Sequence, residues 1–149
     1  MNETLSQIAY VSRRTPGVDD DQIVDDIALP SYRRNRDLAI TGCLWFDRDY
    51  FVQFIEGPES SLASLYRSIQ SDPRHFDLRT VANRSIIERA FGRFALQIVR
   101  ESETDPVRNL IEIAYNDSNP VDVPQAAVER VLRATDLAMV ELSGYQSGL

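Results

Sequence analysis

The stretch Phe51-Val52-Gln53-Phe54-Ile55-Glu56-Gly57 decides the fold and points to the chemistry that the fold supports. Its aromatic and β-branched residues read as a strand. Successive side chains on a strand point to opposite sides, so Phe51, Gln53 and Ile55 share one face. A glutamine between two such neighbours is buried, with a donor and an acceptor on one rotatable end. Without partners it would cost the fold about 1–3 kcal/mol. A planar ligand with both kinds of group along its edge would meet that need.

Outward from this strand, Ile40–Phe46 reads as a second one, and the short DRD loop at 47–49 makes the two a hairpin. Leu5–Val11 alternates into a first strand that ends at the turn-forming TPG of 15–17. The acidic run Asp19–Asp21 suits a helix start, followed by Ile23, Ile27 and Tyr32, with a kink expected near Leu29 because of Pro30. Beyond Gly57, the segment Glu59–Gln70 sets Leu62, Leu65, Tyr66 and Ile69 on one helical stripe. SDPRH at 71–75 is a turn, and Leu78–Ile86 and Phe91–Val99 are two further strands. The order is a ferredoxin-like α+β fold, βαββαββ, with both helices on one face of the sheet.

Residues 1–100 therefore form one domain, and 101–149 a C-terminal helical extension. Its first helix (105–117) starts with Asp105 as cap and Pro106, and has Val107, Leu110, Ile111 and Ala114 as its stripe. Its second (122–142) pairs Asp122 with Gln125 at capping-box spacing, then runs through Val128, Val131, Leu132, Thr135 and Met139. Neither is stable alone, so both should pack on the open sheet face or on another subunit. The tail after Leu142 should fray.

Composition bounds the function. With 149 residues, 43% hydrophobic and 26% charged, the chain is an ordinary globular one. Apolar runs such as Ile40–Phe46 are too short to cross a bilayer, so no membrane partner is expected. The N-terminus carries no secretory pattern, and the lone Cys43 fits a reducing cytoplasm. A net charge of −7 argues against nucleic acid as partner, although all sixteen basic residues are arginine. One histidine and no carboxylate–histidine cluster give a metal site no support.

Three polar residues stand where the fold would gather them: Tyr10 in the first strand, Asn35 at the close of the first helix, and Gln53. Around them lie five blocks: YVS from Tyr10, NRDLAITG from Asn35, FVQFIEG with Gln53, LYRSIQSDPRH at 65–75 and RAF at 89–91. In this order and spacing, over residues 5–100, the sequence resembles the BLUF family of blue-light sensors that use FAD. The resemblance implies FAD as cofactor, in preference to FMN, and a photoreceptor rather than an enzyme. It implies that Tyr10 gives an electron and a proton toward the excited flavin, and that Gln53 lies between Tyr10 and the flavin edge. By the same carry-over, Asn35 holds the pyrimidine edge, Ile40 forms apolar wall, and Arg74 reaches a ring carbonyl. Arg67 and Asp72 would serve the ribityl–phosphate side, with His75 near the same pocket.

Family members commonly carry a W-x-M pattern in the fifth strand, where this chain has Phe94 and Leu96, the expected signal relay. Trp45, in the second strand, is read as core packing and Arg34 as a solvated residue. With 49 residues after the domain, output should pass through the C-terminal helices to a separate protein partner or within a homo-oligomer. The competing readings are a light-independent protein-interaction module on the same fold, and a small acylphosphatase-like enzyme. The second lacks an anion cradle in its TPG turn.

Overall fold

In the computed structural model, which describes residues 3–92, 95–100, 105–116, 123–136 and 139–140, β1 (Leu5–Arg14) lies between β3 (Tyr50–Pro58) and β4 (His75–Ile86). The sheet order is β4-β1-β3-β2-β5-β6, with β2 (Thr41–Phe46), β5 (Gln97–Arg100) and β6 (Met139–Val140) completing it. β1 pairs antiparallel with both its neighbours, and β5 runs parallel to β2. Gly42 allows the close β2–β3 approach, since a Cβ there would collide with the Phe54 carbonyl oxygen.

Each βα unit crosses over one strand, which is the split arrangement of the ferredoxin-like fold. The first crossover is α1 (Asp20–Gln22), a π-helical stretch Ile23–Ala28, and α2 (Leu29–Asp37). Asp19 starts it with a capping box to Gln22. The expected kink near Leu29 takes the form of this π-helical stretch, and Pro30 sits in the first turn of α2, where its missing N–H matters least. The second crossover, α3 (Glu59–Gln70), has the expected bounds.

Two layers cover the sheet. On one face, Leu62, Leu65 and Tyr66 of α3 pack on Ile8, Tyr10 and Ile55, and Ile23 and Ala28 of the first crossover pack on Leu44, Phe46 and Phe51. On the other, Val11, Trp45, Val52, Phe54 and Val81 meet Val107, Leu110 and Ala114 of α4 (Asp105–Asn116) and Val128 and Val131 of α5 (Gln125–Asp136). The C-terminal helices thus take the open sheet face, the first of the two expected placements. Arg13 lies over the Tyr115 ring (4.2 Å), and Arg108 pairs with Asp47 (2.9 Å), pinning α4 to the strands. Leu110→Ala should cost about 2–5 kcal/mol, read by chemical denaturation, because Leu110 is fully buried in this layer.

Several boundaries differ from the sequence reading, and β4 begins at His75, ahead of the expected Leu78. β1 runs on to Arg14, past the expected Val11. The fifth strand begins at Gln97 and not at Phe91; Phe91 instead stacks on Phe54 (4.7 Å between ring centres), and Leu96 precedes the strand. Apolar residue type there signalled burial without a ladder. The last helix ends at Asp136, and Met139–Val140 pair as a strand with β5 at Ile98 and Val99, so the run of helical spacing to Met139 continued past the helix. Phe94, Asp122 and the tail after Leu142 lie outside the described residues.

Candidate functional site

Between the first crossover and α3 is a cleft of about 130 Å³ whose floor is the sheet. Its floor follows from register: Tyr10 of β1 and Leu44 of β2 both lie opposite Gln53 of β3, so three side chains share one patch. Ile27, Leu44, Phe51 and Ile69 give apolar walls, and Ser31, Arg34, Asp72, Arg74 and His75 line the rest.

At the floor, Tyr10 Oη donates to Gln53 Oε1 at 2.6 Å. Gln53 is 6% exposed, so its amide is held by the phenol and has its NH2 end left for whatever else meets it. Burial, with repulsion from Tyr66 and Asp72, raises the Tyr10 pKa above its usual value of about 10. The phenol is also held in place by rings: Tyr66 at 5.9 Å and, edge-on, His75 at 5.8 Å.

His75 is fixed at both nitrogens. The Ile69 carbonyl can only accept, so Nε2 donates to it at 2.6 Å, and in the neutral ring Nδ1 accepts from Ser12 Oγ at 2.7 Å. Asp72 accepts from the Arg74 backbone N–H and from its guanidinium, at 2.6 Å to Nη2. That hydrogen bond holds the Asp72 carboxyl below its ordinary pKa and raises that of Arg74. Arg74 Nη1 also reaches the Asp26 carbonyl at 3.2 Å, joining the turn after α3 to the π-helical stretch. Pro30, four residues after Asp26, has no N–H to offer that carbonyl, which leaves it open to the arginine.

Asn35 is fully buried on α2. Its Nδ2 donates to Ala95 O at 3.1 Å, while its Oδ1 is buried without a partner among the described residues. An orphaned buried acceptor of this kind asks for a donor. Ile40 is buried beside Ile55 and Leu62, behind the cleft rather than along it. Arg67 is exposed on α3 and does not line the cleft. Leu96 is buried in one cluster with Leu44 and Phe51. The sequence reading missed Ser31; Arg34, read as a solvated residue, is exposed and also lines the cleft. They stand one turn apart on α2, at the i, i+3 spacing that puts both on one face, and partial burial lowers the Arg34 pKa. Trp45 lies on the opposite sheet face, in the core under α4.

The profile of the BLUF family, described as sensors of blue-light using FAD, matches residues 5–97. The chain belongs to the BLUF family. It is 38% identical over 90 residues to the photoactivated adenylate cyclase subunit beta of Euglena longa, covering 60% of this chain and 10% of that protein. It is 31% identical over 86 residues to the blue light- and temperature-regulated antirepressor BluF of Escherichia coli, covering 56% of this chain and 21% of that one. The chain thus spans only about a tenth to a fifth of these curated relatives. The dark-state structure of BlrB, a BLUF protein, superposes with a TM-score of 0.72 at 27% identity, over 90% of this chain and 99% of that one.

Family membership makes FAD the cofactor, and the cleft fits it. The Gln53 amide on the floor supplies an oriented donor, and Asn35 Oδ1, an unpaired buried acceptor, sits next to the lining residue Arg34 without itself lining the cleft; both are groups a flavin edge would use. Apolar walls and the arginines lining the cleft match an aromatic ring with polar carbonyls and a phosphate-bearing tail. No helix among the described residues is long and apolar enough to cross a membrane.

Proposed function

We propose that this BLUF chain senses blue light through the Tyr10–Gln53 pair and passes the change to its C-terminal helices, with residues 1–100 as the flavin domain and 101–149 as the output element. The observation that carries this reading is the 2.6 Å hydrogen bond from Tyr10 Oη to Gln53 Oε1 on the cleft floor. When bound, FAD supplies the absorption of blue light and, once excited, an oxidant beside the phenol.

The chain's own residues do the rest. Tyr10 keeps its proton at neutral pH, because burial disfavours the phenolate. A phenol that loses an electron becomes strongly acidic, and Gln53 Oε1 is the acceptor already in contact with its proton. A protonated or rotated amide presents a different donor–acceptor pattern to the cleft, so Gln53 has two states. Asn35, Arg74 and Asp72 hold the ring and its tail; Arg67 serves the outer phosphate side, His75 braces Tyr10, and Ile40 backs the apolar wall. Leu96, with Phe94, relays the change toward β5, and the chain acts without catalysis of its own, in the cytoplasm, on a protein partner or a second copy.

The experiment is to load the purified chain with FAD, separate free flavin, and record absorption before and after blue light. A retained yellow colour and a reversible shift to longer wavelength support the sensor. A colourless protein favours the light-independent interaction module, which the changed Leu96 position keeps in view. The response should also be flat in pH up to about 10, where a free tyrosine is half ionised, since the raised Tyr10 pKa preserves the proton there. A response that fades with a midpoint at or below that value would place Tyr10 in a solvated site.

A further inference from the structure

Three residues after Gln53, on the opposite face of β3, Glu56 is fully buried. No cation touches its carboxylate among the described residues. It accepts instead from Phe91 N–H (2.6 Å, Oε1), Ala90 N–H (3.1 Å, Oε2) and Gln7 Nε2 (2.7 Å, Oε2). A buried carboxylate satisfied by neutral donors is a costly choice for a strand, and every donor matters to it.

The donors come from separate parts of the fold. Ala90 and Phe91 lie in the connection from β4 to β5, and Arg89 beside them donates to Thr41 Oγ1 (2.8 Å), Glu56 O (3.1 Å) and Ala39 O (2.7 Å). Farther along the same connection are Ala95, whose carbonyl holds the Asn35 amide, and Leu96, packed with Leu44 and Phe51 of the cleft. On the other side, Gln7 Oε1 accepts from Arg84 Nε (3.1 Å), and Arg84 Nη1 donates to Val123 O (2.6 Å). Val123 N–H in turn bonds Val81 O at 2.9 Å, two residues before α5 begins.

Gln7 is therefore a second oriented amide on β1, fixed by Glu56 at one end and Arg84 at the other. If it turned over, two donors would face Arg84 and its oxygen would face a carboxylate, so a displacement of Glu56 must be passed on or resisted as a unit. We infer that Glu56 is a positioning residue that couples the Tyr10–Gln53 site to the start of α5, through Gln7 and Arg84, while anchoring the β4–β5 connection behind the cleft. This rests on the sensor reading above. It adds an output route on the far side of the sheet from the expected relay at Phe94 and Leu96.

The test compares Glu56→Gln and Arg84→Met with the wild type, each as the full chain loaded with FAD. Glu56→Gln sets a donor against the N–H of Phe91 or against those of Ala90 and Gln7; Arg84→Met removes the link to Val123 and leaves the buried carboxylate alone. Both should keep the amplitude of the red shift, which a general loss of structure would not. Glu56→Gln should change the rate of dark recovery by about tenfold, a factor within reach of one hydrogen bond to a carboxylate. Hydrogen exchange should show a light-dependent difference at 123–128 in the wild type that both variants lose. Wild-type recovery together with wild-type exchange in the variants overturns the inference and leaves the sensor reading standing. If Glu56→Gln does not hold FAD, Arg84→Met decides alone by the exchange difference. A wild type without any red shift removes both.

Discussion

Gln53→Leu is expected to abolish the reversible red shift while the protein stays yellow. Leucine keeps most of the volume on the cleft floor but has no group to accept from Tyr10 or to donate across the cleft. The Tyr10 hydroxyl is then buried without its acceptor, at a cost of about 1–3 kcal/mol, which a fold of ordinary stability withstands. Asn35, Arg74 and the apolar walls remain, so flavin should still be held. Light-minus-dark absorption reads the outcome, and a shift of wild-type size in this variant would remove Gln53 from the mechanism.

Tyr10→Phe should give an equally complete loss by a different route. The ring is kept, with its contacts to Tyr66 and His75, but the proton and the readily oxidised phenol are gone. Gln53 Oε1 also loses the donor that orients it, so the amide can turn over in the dark. Fluorescence of the bound flavin should rise, because Tyr10, the proposed electron donor, is missing. Tyr66 does not replace it, since Tyr66 does not line the cleft and its hydroxyl meets Thr80 rather than the Gln53 amide. A reversible red shift in this variant would assign the electron and proton to another residue.

The parts of the fold governed by local periodicity were legible in the sequence. The α3 stripe, the hairpin of β2 and β3, and the buried glutamine each follow from side-chain alternation or helical spacing. What was not legible depends on partners distant along the chain. The short β5 and the β6 strand at Met139–Val140 follow from pairing at the sheet edge, which apolar residues such as Phe91 and Met139 do not specify. Pro30 announced a break, yet the π-helical form of it, and the Asp26 carbonyl it hands to Arg74, needed the packed structure.

The site shows the same division. The resemblance put Gln53 next to the Tyr10 hydroxyl, and the structure sets Tyr10 Oη and Gln53 Oε1 2.6 Å apart. Arg34 is exposed as read, but its place along the cleft had no pattern of its own in the sequence; it comes from how α2 lies over the sheet, with Ser31 one turn away. The Glu56 network was hidden for a related reason. Two of its donors are backbone N–H groups of the β4–β5 connection, and no residue type advertises those.

Whether the Gln53 amide itself changes state next to the flavin is tested most directly by infrared spectroscopy. The measurement is a light-minus-dark difference spectrum of the FAD-loaded chain, with isotope-labelled glutamine side chains. The expected result is a set of light-induced amide bands that move with the label and vanish in Gln53→Leu. A red-shifting wild type whose difference bands ignore the label, or label-sensitive bands that persist in Gln53→Leu, would contradict it.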